Sequence, residues 1–448
     1  MSNKPNQLKQ LFHSARRFIS KHWLNLQPAI QIAITGSQGK TNTAQLIYKI
    51  LSSKNPTTVT DINLDTNYNI PITALKVCPW TKYVVFELGI DKPGEMSRHL
   101  EIVKPKIAVI TGISPVHTDK NHLGSLENLI LEKRKLIEAL PKNGVAILNG
   151  DDENVKKMAK HTKAQVIFYG LNEDNDIQAK NISLSLEGLS FELFARKTGV
   201  EMAGVRDSLP AGRQARNEVS TGGREIETGP AILKIKTKLI GKHHVYNILA
   251  AYAVYRTLGF QDNQSFQKII ESIQPLSGRM SLENGPLGTK ILNDSLRANP
   301  ASTASGLQTL SEIKYTQGRK IAVLAEMGEL ENPKEEHQKI GQLVAGLKIN
   351  YIVGIGPLQK NVTAEAVKNG FTQENIFWVN NVADAAKVLK KIIKKGDLIY
   401  LKGSLMRHVE RVLLILEGRK VGCQTIICPF YRHCLKCQFL QKGYTNPQ

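Results

Sequence analysis

Gly36-Ser37-Gln38-Gly39-Lys40-Thr41 stands between the apolar run Ala29–Thr35 and the stretch Lys40–Leu51, whose apolar residues recur at helical spacing. A strand, a glycine-rich turn and a helix in that order form a phosphate-binding loop, because glycines let backbone N–H groups turn inward around phosphate oxygens. Lys40 would then neutralise β/γ-phosphate charge and the Thr41 hydroxyl would ligate Mg²⁺. The bland alternative is an ordinary glycine-rich turn, and the strand–loop–helix context favours ATP. Such a loop needs a parallel sheet behind it, and the chain supplies the rhythm of one. Tyr83–Leu88, Lys106–Gly112 and Gly144–Leu148 read as strands, and Leu126–Ala139 as a helix. Residues 160–240 differ: Ile182–Phe194 and Ala231–Leu239 alternate like strands of an antiparallel insert. Between them Asp207–Thr228, without aromatics, reads as a flexible solvated loop. A helix, Val245–Leu258, follows. A second α/β rhythm begins after Gly278, with strands at Thr289–Leu292, Lys320–Leu324, Tyr351–Ile355 and Asp397–Leu401. The expected fold is α/β: a P-loop central domain with a parallel sheet and small antiparallel insert over 29–275, then a Rossmann-like C-terminal domain over 276–418. A basic helix (1–28) precedes them and a cysteine-rich tail (419–448) follows.

The formal net charge is +21, and residues 1–60 contain eight Lys or Arg before the first acid at Asp61. No zinc-finger, helix-turn-helix or aromatic–basic signature accompanies that charge, so nucleic acid is not an expected partner; a positive field also suits nucleotides. Leu8, Leu11, Phe12, Ala15, Phe18, Ile19 and Trp23 fall on one helical face. That face either docks on the protein's own body or lies on an anionic membrane. No apolar run approaches the ~18 residues of a spanning helix, and no secretory signal is evident. Only five cysteines occur, four of them in the last 26 residues. A disulfide framework is therefore not expected, and the cytoplasm, with peripheral membrane contact as an option, is the expected location.

Taken with later segments, the loop resembles the Mur ligases, the ATP-dependent amino acid ligases of peptidoglycan synthesis, and within them the branch that adds D-alanyl-D-alanine. The segments that carry the resemblance include Gly36–Thr43, Glu87–Gly89, Thr111–His117, Asn149-Gly150-Asp151-Asp152, Gly241–Asn247, Gly278-Arg279, Asp294–Pro300, Gly318–Leu330 and Lys402-Gly403-Ser404. Singly most are weak, and their order and spacing make them specific. The resemblance implies an acyl-phosphate reaction with ATP and Mg²⁺, a muropeptide and D-Ala-D-Ala as substrates, and roles for particular residues. Gly36, Ser37, Gln38, Gly39, Lys40, Thr41 and Asn42 would hold the phosphates. Glu87 would ligate Mg²⁺, and His117 would stand near a second metal. Lys133 matches a carbamylated lysine whose CO₂ adduct acts as a carboxylate-like ligand; its basic neighbours Arg134 and Lys135 would favour the neutral amine that adds CO₂. Asn247 matches an asparagine beside the adenine, Arg279 a hinge arginine, Asp294 a ribose contact, and Lys402 a lysine that approaches the phosphates on domain closure. Unaided, Leu131–Lys135 reads as a solvated helix face, His117 as a loop histidine and Asp294 as a turn residue.

The chain also departs from the family. The phosphate loop begins at residue 36, so the family's first domain, which holds the UDP-sugar, is expected to be absent; a membrane surface or a partner protein would then help to hold substrate. Leu296 and Arg297 stand where this branch usually has Tyr and Asn, Leu405 replaces an Arg, His244 an Asn, and Asn42 a Thr or Ser. A folylpolyglutamate- or cyanophycin-type amide ligase, or a nucleotide-binding scaffold without ligase chemistry, are the rival readings. In the tail, Cys423, Cys428, Cys434 and Cys437 give C-x4-C-x5-C-x2-C. Four thiolates so close in sequence can close a zinc site; an iron–sulfur cluster and unligated thiols are the alternatives.

Overall fold

Two sheets, with helices on both faces of their parallel strands, organise the computed structural model, which describes residues 7–62, 65–114, 122–196, 232–328, 330–430 and 434–443. His117 and the Asp207–Thr228 segment lie outside the described residues. The first sheet contains β1 (Ile30–Thr35), β2 (Thr57–Val59), β3 (Tyr83–Glu87), β4 (Ile107–Ile110), β5 (Val145–Asn149), β6 (Gln165–Gly170), β7 (Ile177–Ser185), β8 (Gly188–Ala195) and β9 (Leu233–Thr237). Their spatial order is β2-β3-β1-β4-β5-β6-β7-β8-β9. Pairing is parallel from β2 to β7 and antiparallel at β7–β8 and β8–β9.

The burial follows from this. β4, Ile-Ala-Val-Ile, is buried at every position because helices cover both faces. Alternate side chains feed two cores: Val85, Val109 and Ile147 pack beside Leu46, Ile50 and Leu249, whereas Val84, Ala108 and Ala146 pack with Ile70, Leu129 and Leu136. In β9, Leu233, Ile235 and Thr237 are buried and Lys234 and Lys236 exposed, the alternation of a one-sided sheet.

The antiparallel strands expected after residue 160 are present, with two differences. Ile182–Phe194 is a hairpin rather than one strand: the chain reverses between β7 and β8, and Gly188 takes φ +130°, which glycine alone adopts without strain. These strands also extend the parallel sheet rather than forming a separate layer, and β6, within the same region, is a parallel strand.

The second sheet contains β10 (Ser281–Asn284), β11 (Lys290–Asp294), β12 (Lys320–Ala325), β13 (Tyr351–Ile355), β14 (Ile376–Val379) and β15 (Leu398–Lys402), in the order β10-β11-β15-β12-β13-β14. All pairs are parallel except β10–β11. Against β5, β6 and β7 of the first sheet packs the His243–Thr257 helix, His-His-Val-Tyr-Asn-Ile-Leu-Ala-Ala-Tyr-Ala-Val-Tyr-Arg-Thr. It is apolar almost all round, so it has to be buried on every side. A continuous apolar core runs from Ile34 and Ile47 through Leu249 to Leu307 and Tyr400 in the second sheet's layer.

The N-terminal helix, Gln7–Asn25, packs against the Thr66–Lys76 helix. Leu24 and Ser20 are buried, the Trp23 indole donates to the Val77 carbonyl (2.8 Å), and Arg17 donates to the Arg98 carbonyl. It is therefore docked on the body. The docking face is not the expected apolar one: Phe12, Ala15, Phe18, Ile19 and Trp23 are all exposed, and Ser20 and Leu24 turn inward instead. Among the described residues no helix is long and apolar enough to cross a membrane.

Candidate active site

β1 lies between β3 and β4, so successive strands are laid down on opposite sides of it. The loop leaving β1 therefore opens at the point where strand order reverses, the usual ligand crevice of an open parallel sheet. Gly36–Lys40 occupies that loop. Gly39, at φ +78°, caps the Lys40–Ser52 helix, and a Cβ there would meet Asn247 Oδ1 at 2.8 Å. A Cβ on Gly36 would meet Thr111 Oγ1 at 2.0 Å. The segment after β4 fixes the loop from the other side. Ser37 Oγ donates to the Ser114 carbonyl (2.9 Å), and Ser37 N donates to the Gly112 carbonyl (2.8 Å). Gln38 Nε2 donates to Ser114 Oγ (3.3 Å), and the Thr111 hydroxyl donates to the Gln38 carbonyl.

Two lysines converge on one atom of this loop. Lys40 Nζ donates to the Gly36 carbonyl at 2.8 Å and Lys133 Nζ donates to the same oxygen at 3.0 Å. Lys133 is only 2% exposed, which overturns the reading of Leu131–Lys135 as a solvated face. Burial first, and then the charge of Lys40, push its amine well below the ordinary lysine range, with Asp91 opposing. The neighbours expected to do this are engaged elsewhere: Lys135 pairs with Glu132 and Arg134 with Glu138, both at 2.6 Å. Burial also lowers Lys40, with Glu87 opposing and Arg297 reinforcing.

Beside the lysines, Thr41 Oγ1 donates to Glu87 Oε1 at 3.0 Å. Two oxygens in adjacent positions of an octahedral Mg²⁺ shell lie about 3 Å apart when the bonds are about 2.1 Å. The Thr41–Glu87 pair thus has the donor chemistry and spacing for that ion. Asn42 follows in the first turn of the helix.

The second sheet faces this loop with its own strand ends. In the parallel register Asp294 lies opposite Lys402, and Lys402 Nζ donates to Asp294 Oδ2 at 2.6 Å, joined by the Tyr400 hydroxyl at 3.1 Å. Lys402 is buried in that pair. Arg279 links the two sheets electrostatically. Burial and Arg297 lower its guanidinium pKa, and Glu87 and Asp294 oppose. Its charge therefore senses the first sheet's carboxylate as well as the second's. Asn247, expected beside the adenine, is seated behind the loop and 3% exposed. Its Oδ1 accepts from Thr43 (3.2 Å), and its Nδ2 donates to His244 Nδ1 (3.4 Å). His243, next to Asp294 and Lys402, is brought to a pKa of about 4 by burial, with Asp294 opposing and Lys402 reinforcing.

The structure brings together Gly36–Thr41, Glu87 and Lys133 on the first sheet, joins Asp294 to Lys402 on the second, and sets Arg279 between them. Sequence reasoning missed Arg297, noted only as a departure, which places a further cation near Lys40 and Arg279. It also missed the ion pair of Arg407 with Glu326 (2.7 Å), which ties the turn after Lys402 to the end of β12.

Residues 34–255 match the model of the Mur ligase middle domain, and residues 278–405 match that of the Mur ligase glutamate ligase domain. The chain belongs to the Mur ligase family. Among curated relatives of this Mur ligase, the UDP-N-acetylmuramoyl-tripeptide–D-alanyl-D-alanine ligase of Bacillus subtilis (strain 168) is 26% identical over 401 residues, covering 89% of this chain and 78% of its own. The enzyme of the same name from Escherichia coli (strain K12) is 24% identical, covering 88% and 78%. Among solved structures, MurF from Acinetobacter baumannii superposes with a TM-score of 0.75 at 23% identity, covering 91% of this chain and 81% of that one. MurF from Thermotoga maritima in complex with ADP gives 0.72 at 22% identity, covering 91% and 83%. These structures share the Mur ligase fold with this chain.

Proposed function

We propose that this Mur ligase is an ATP- and Mg²⁺-dependent carboxylate–amine ligase of peptidoglycan precursor synthesis that joins D-alanyl-D-alanine to a muropeptide in the cytoplasm. The observation that carries the reading is the convergence at the phosphate loop: Lys40 and Lys133 on the Gly36 carbonyl, with the Thr41–Glu87 pair beside them. A protein that merely bound nucleotide would have little use for a second buried lysine whose pKa burial and Lys40 depress. The curated relatives' names support the amine and the acceptor.

In this reaction the γ-phosphoryl group of ATP passes to a peptide carboxylate and ADP leaves. The amine of the dipeptide then forms the C–N bond, phosphate leaves with the bonding electrons, and a proton is lost from nitrogen. Bound Mg²⁺ would supply positive charge to the phosphoryl oxygens. Backbone N–H groups of Gln38–Thr41 and the Lys40 ammonium bind the phosphates. Thr41 and Glu87 would hold the metal, with His117 as a proposed ligand for a second ion. The neutral Lys133 amine adds CO₂ and releases a proton, becoming a carbamate that bears negative charge where the ions need it. Arg279 and Arg297 orient the nucleotide, and Asp294 and Lys402 carry its contacts from the second sheet. Most of the rate then comes from positioning and fixed charge.

The test is phosphate release by purified protein with ATP, Mg²⁺ and UDP-linked muramyl tripeptide, with and without D-Ala-D-Ala. Release that requires both the peptide and the dipeptide is expected; ATP binding without release under any pairing would overturn the ligase reading. For the N-terminal helix, outward Phe12, Phe18 and Ile19 beside exposed Lys21 support salt-sensitive contact with anionic membrane. Sedimentation with anionic vesicles at low salt, lost in a Phe12→Ser/Phe18→Ser/Ile19→Ser variant, is expected; equal behaviour of the two proteins would refute it.

A further inference from the structure

The cysteine tail does not assemble as its spacing suggests. Cys423, Cys428 and Cys434 are buried and Cys437 half-buried, and none of the four is in a disulfide. Among the described residues, no three of these sulfurs lie within 4.8 Å of one another. One set of ligand atoms does meet that distance: His408, Glu410 and Cys434, all buried.

We propose that the tail is fastened to the second sheet's layer by a transition-metal ion, zinc by its donor set, held by His408, Glu410 and Cys434. His408 Nδ1 and Glu410 Oε1 are already 2.9 Å apart. In a tetrahedral site with bonds of about 2.0–2.3 Å, ligand atoms stand about 3.3–3.7 Å from each other, so side-chain shifts of about 1 Å would close the set. Imidazole, carboxylate and thiolate together suit zinc better than magnesium or calcium, which prefer oxygen alone.

Two independent features point to a ligand here. Glu410 is 8% exposed, and among the described residues its Oε2 has no hydrogen bond of ordinary distance and angle, the Cys434 amide and thiol acting on the carboxylate only loosely. A buried carboxylate oxygen left that way is costly, and a cation removes the cost. His408 has φ +46°, one of four described non-glycine residues at positive φ. Strain of that kind persists where the surroundings require the side chain in one place. Cys423, whose sulfur accepts from Arg411 Nη1 (3.4 Å), acts electrostatically on Cys434 and is the candidate for the fourth position. Cys428 and Cys437 serve instead through their backbones, donating to the Met406 and Cys434 carbonyls at 2.8 and 2.9 Å. The buried Arg411 guanidinium adds hydrogen bonds to the Cys423 and Thr425 carbonyls. The metal would thus join the tail to the turn that follows Lys402.

The experiment is elemental analysis of the full chain, purified without a metal-affinity tag, beside four variants. About one zinc per chain is expected. It should be lost in Cys434→Ser and His408→Asn, the asparagine being chosen because it tolerates the left-handed backbone, and retained in Cys428→Ser and Cys437→Ser. Metal-free wild-type protein overturns the proposal. So does metal lost from Cys428→Ser and Cys437→Ser but kept in His408→Asn, which would restore the four-cysteine site. Should the His408 or Cys434 variant fail to fold, cobalt substitution of the unaltered protein decides. A thiolate-to-cobalt absorption of one or two sulfurs supports the mixed site, and that of four overturns it.

Discussion

Replacing Lys133 by methionine separates a catalytic lysine from a structural one. With Lys40 and Lys133 at 2.8 and 3.0 Å from one oxygen, their nitrogens are at most about 5.8 Å apart. Were Lys133 to enter the fold charged, Lys40 would repel it by about 3 kcal/mol at an effective dielectric of about 20, and shedding the proton instead carries its own cost at neutral pH. Methionine has nearly the same length and no charge. It loses one hydrogen bond to the Gly36 carbonyl, worth about 1 kcal/mol. Lys133→Met is therefore expected to be more stable than the wild type by about 2 kcal/mol at neutral pH, read from urea unfolding. The sign of the pH dependence follows from linkage. The folded pKa of Lys133 is depressed, so between it and the unfolded value the unfolded chain holds more protons. Wild-type stability then rises with pH across that window, and the advantage of the variant shrinks toward pH 10. Phosphate release should fall by at least about 100-fold, and in Lys133→Ala short carboxylic acids should restore part of it. A variant that keeps wild-type turnover would refute the carbamate role. One destabilised by several kcal/mol would show that the lysine braces the loop.

Lys40→Ala should reduce ATP turnover by about 1,000-fold, measured by phosphate release. Gly39→Ala forces a side chain into φ +78° against Asn247 Oδ1; at about 1–3 kcal/mol of strain, calorimetry should find ATP bound about 10-fold or more weakly. Arg319→Met strips Asp397, 1% exposed, of its ion pair at 2.6 Å and should lower stability by about 3–5 kcal/mol. Burial alone would raise the Asp397 pKa, but hydrogen bonds from the Arg319 side chain and from the Lys394 and Arg319 amides outweigh it and hold it down. That stability is present above the unfolded aspartate pKa and lost as pH falls through the folded one, so acid titration of wild type and variant should converge at low pH.

Elements with one strong period were legible in the sequence. β13 has the boundaries expected of it, and the phosphate loop and Glu87 could be located because each closes an apolar run, whereas Asp294 and Lys402 lie past the expected strand ends and were legible only through the family resemblance. Lys133 was not legible as a buried residue, since Glu132, Lys133, Arg134 and Lys135 in succession look solvated whichever of them turns inward. The turn at Gly188 was hidden inside an alternating run, because hairpin strands share the period of one long strand. Short strands such as β2 and β14 carry too few residues to show a period at all. His408 and Glu410 meet Cys434 only through tertiary folding, and no spacing rule joins residues so far apart.

The position of β15 bears on how the chain folds. It lies between β11 and β12, and Asp294 meets Lys402 across 108 residues of sequence. Until that last strand emerges from the ribosome, the second sheet lacks its middle, and β10–β11 has no partner on its open edge. The first sheet needs nothing beyond β9 to complete its hydrogen-bond ladder. Synthesis should therefore yield an early, finished first sheet and a second that closes late, its rate limited by a long loop closure. During that interval the exposed edge of β11 is the part of the nascent chain most open to pairing with other strands.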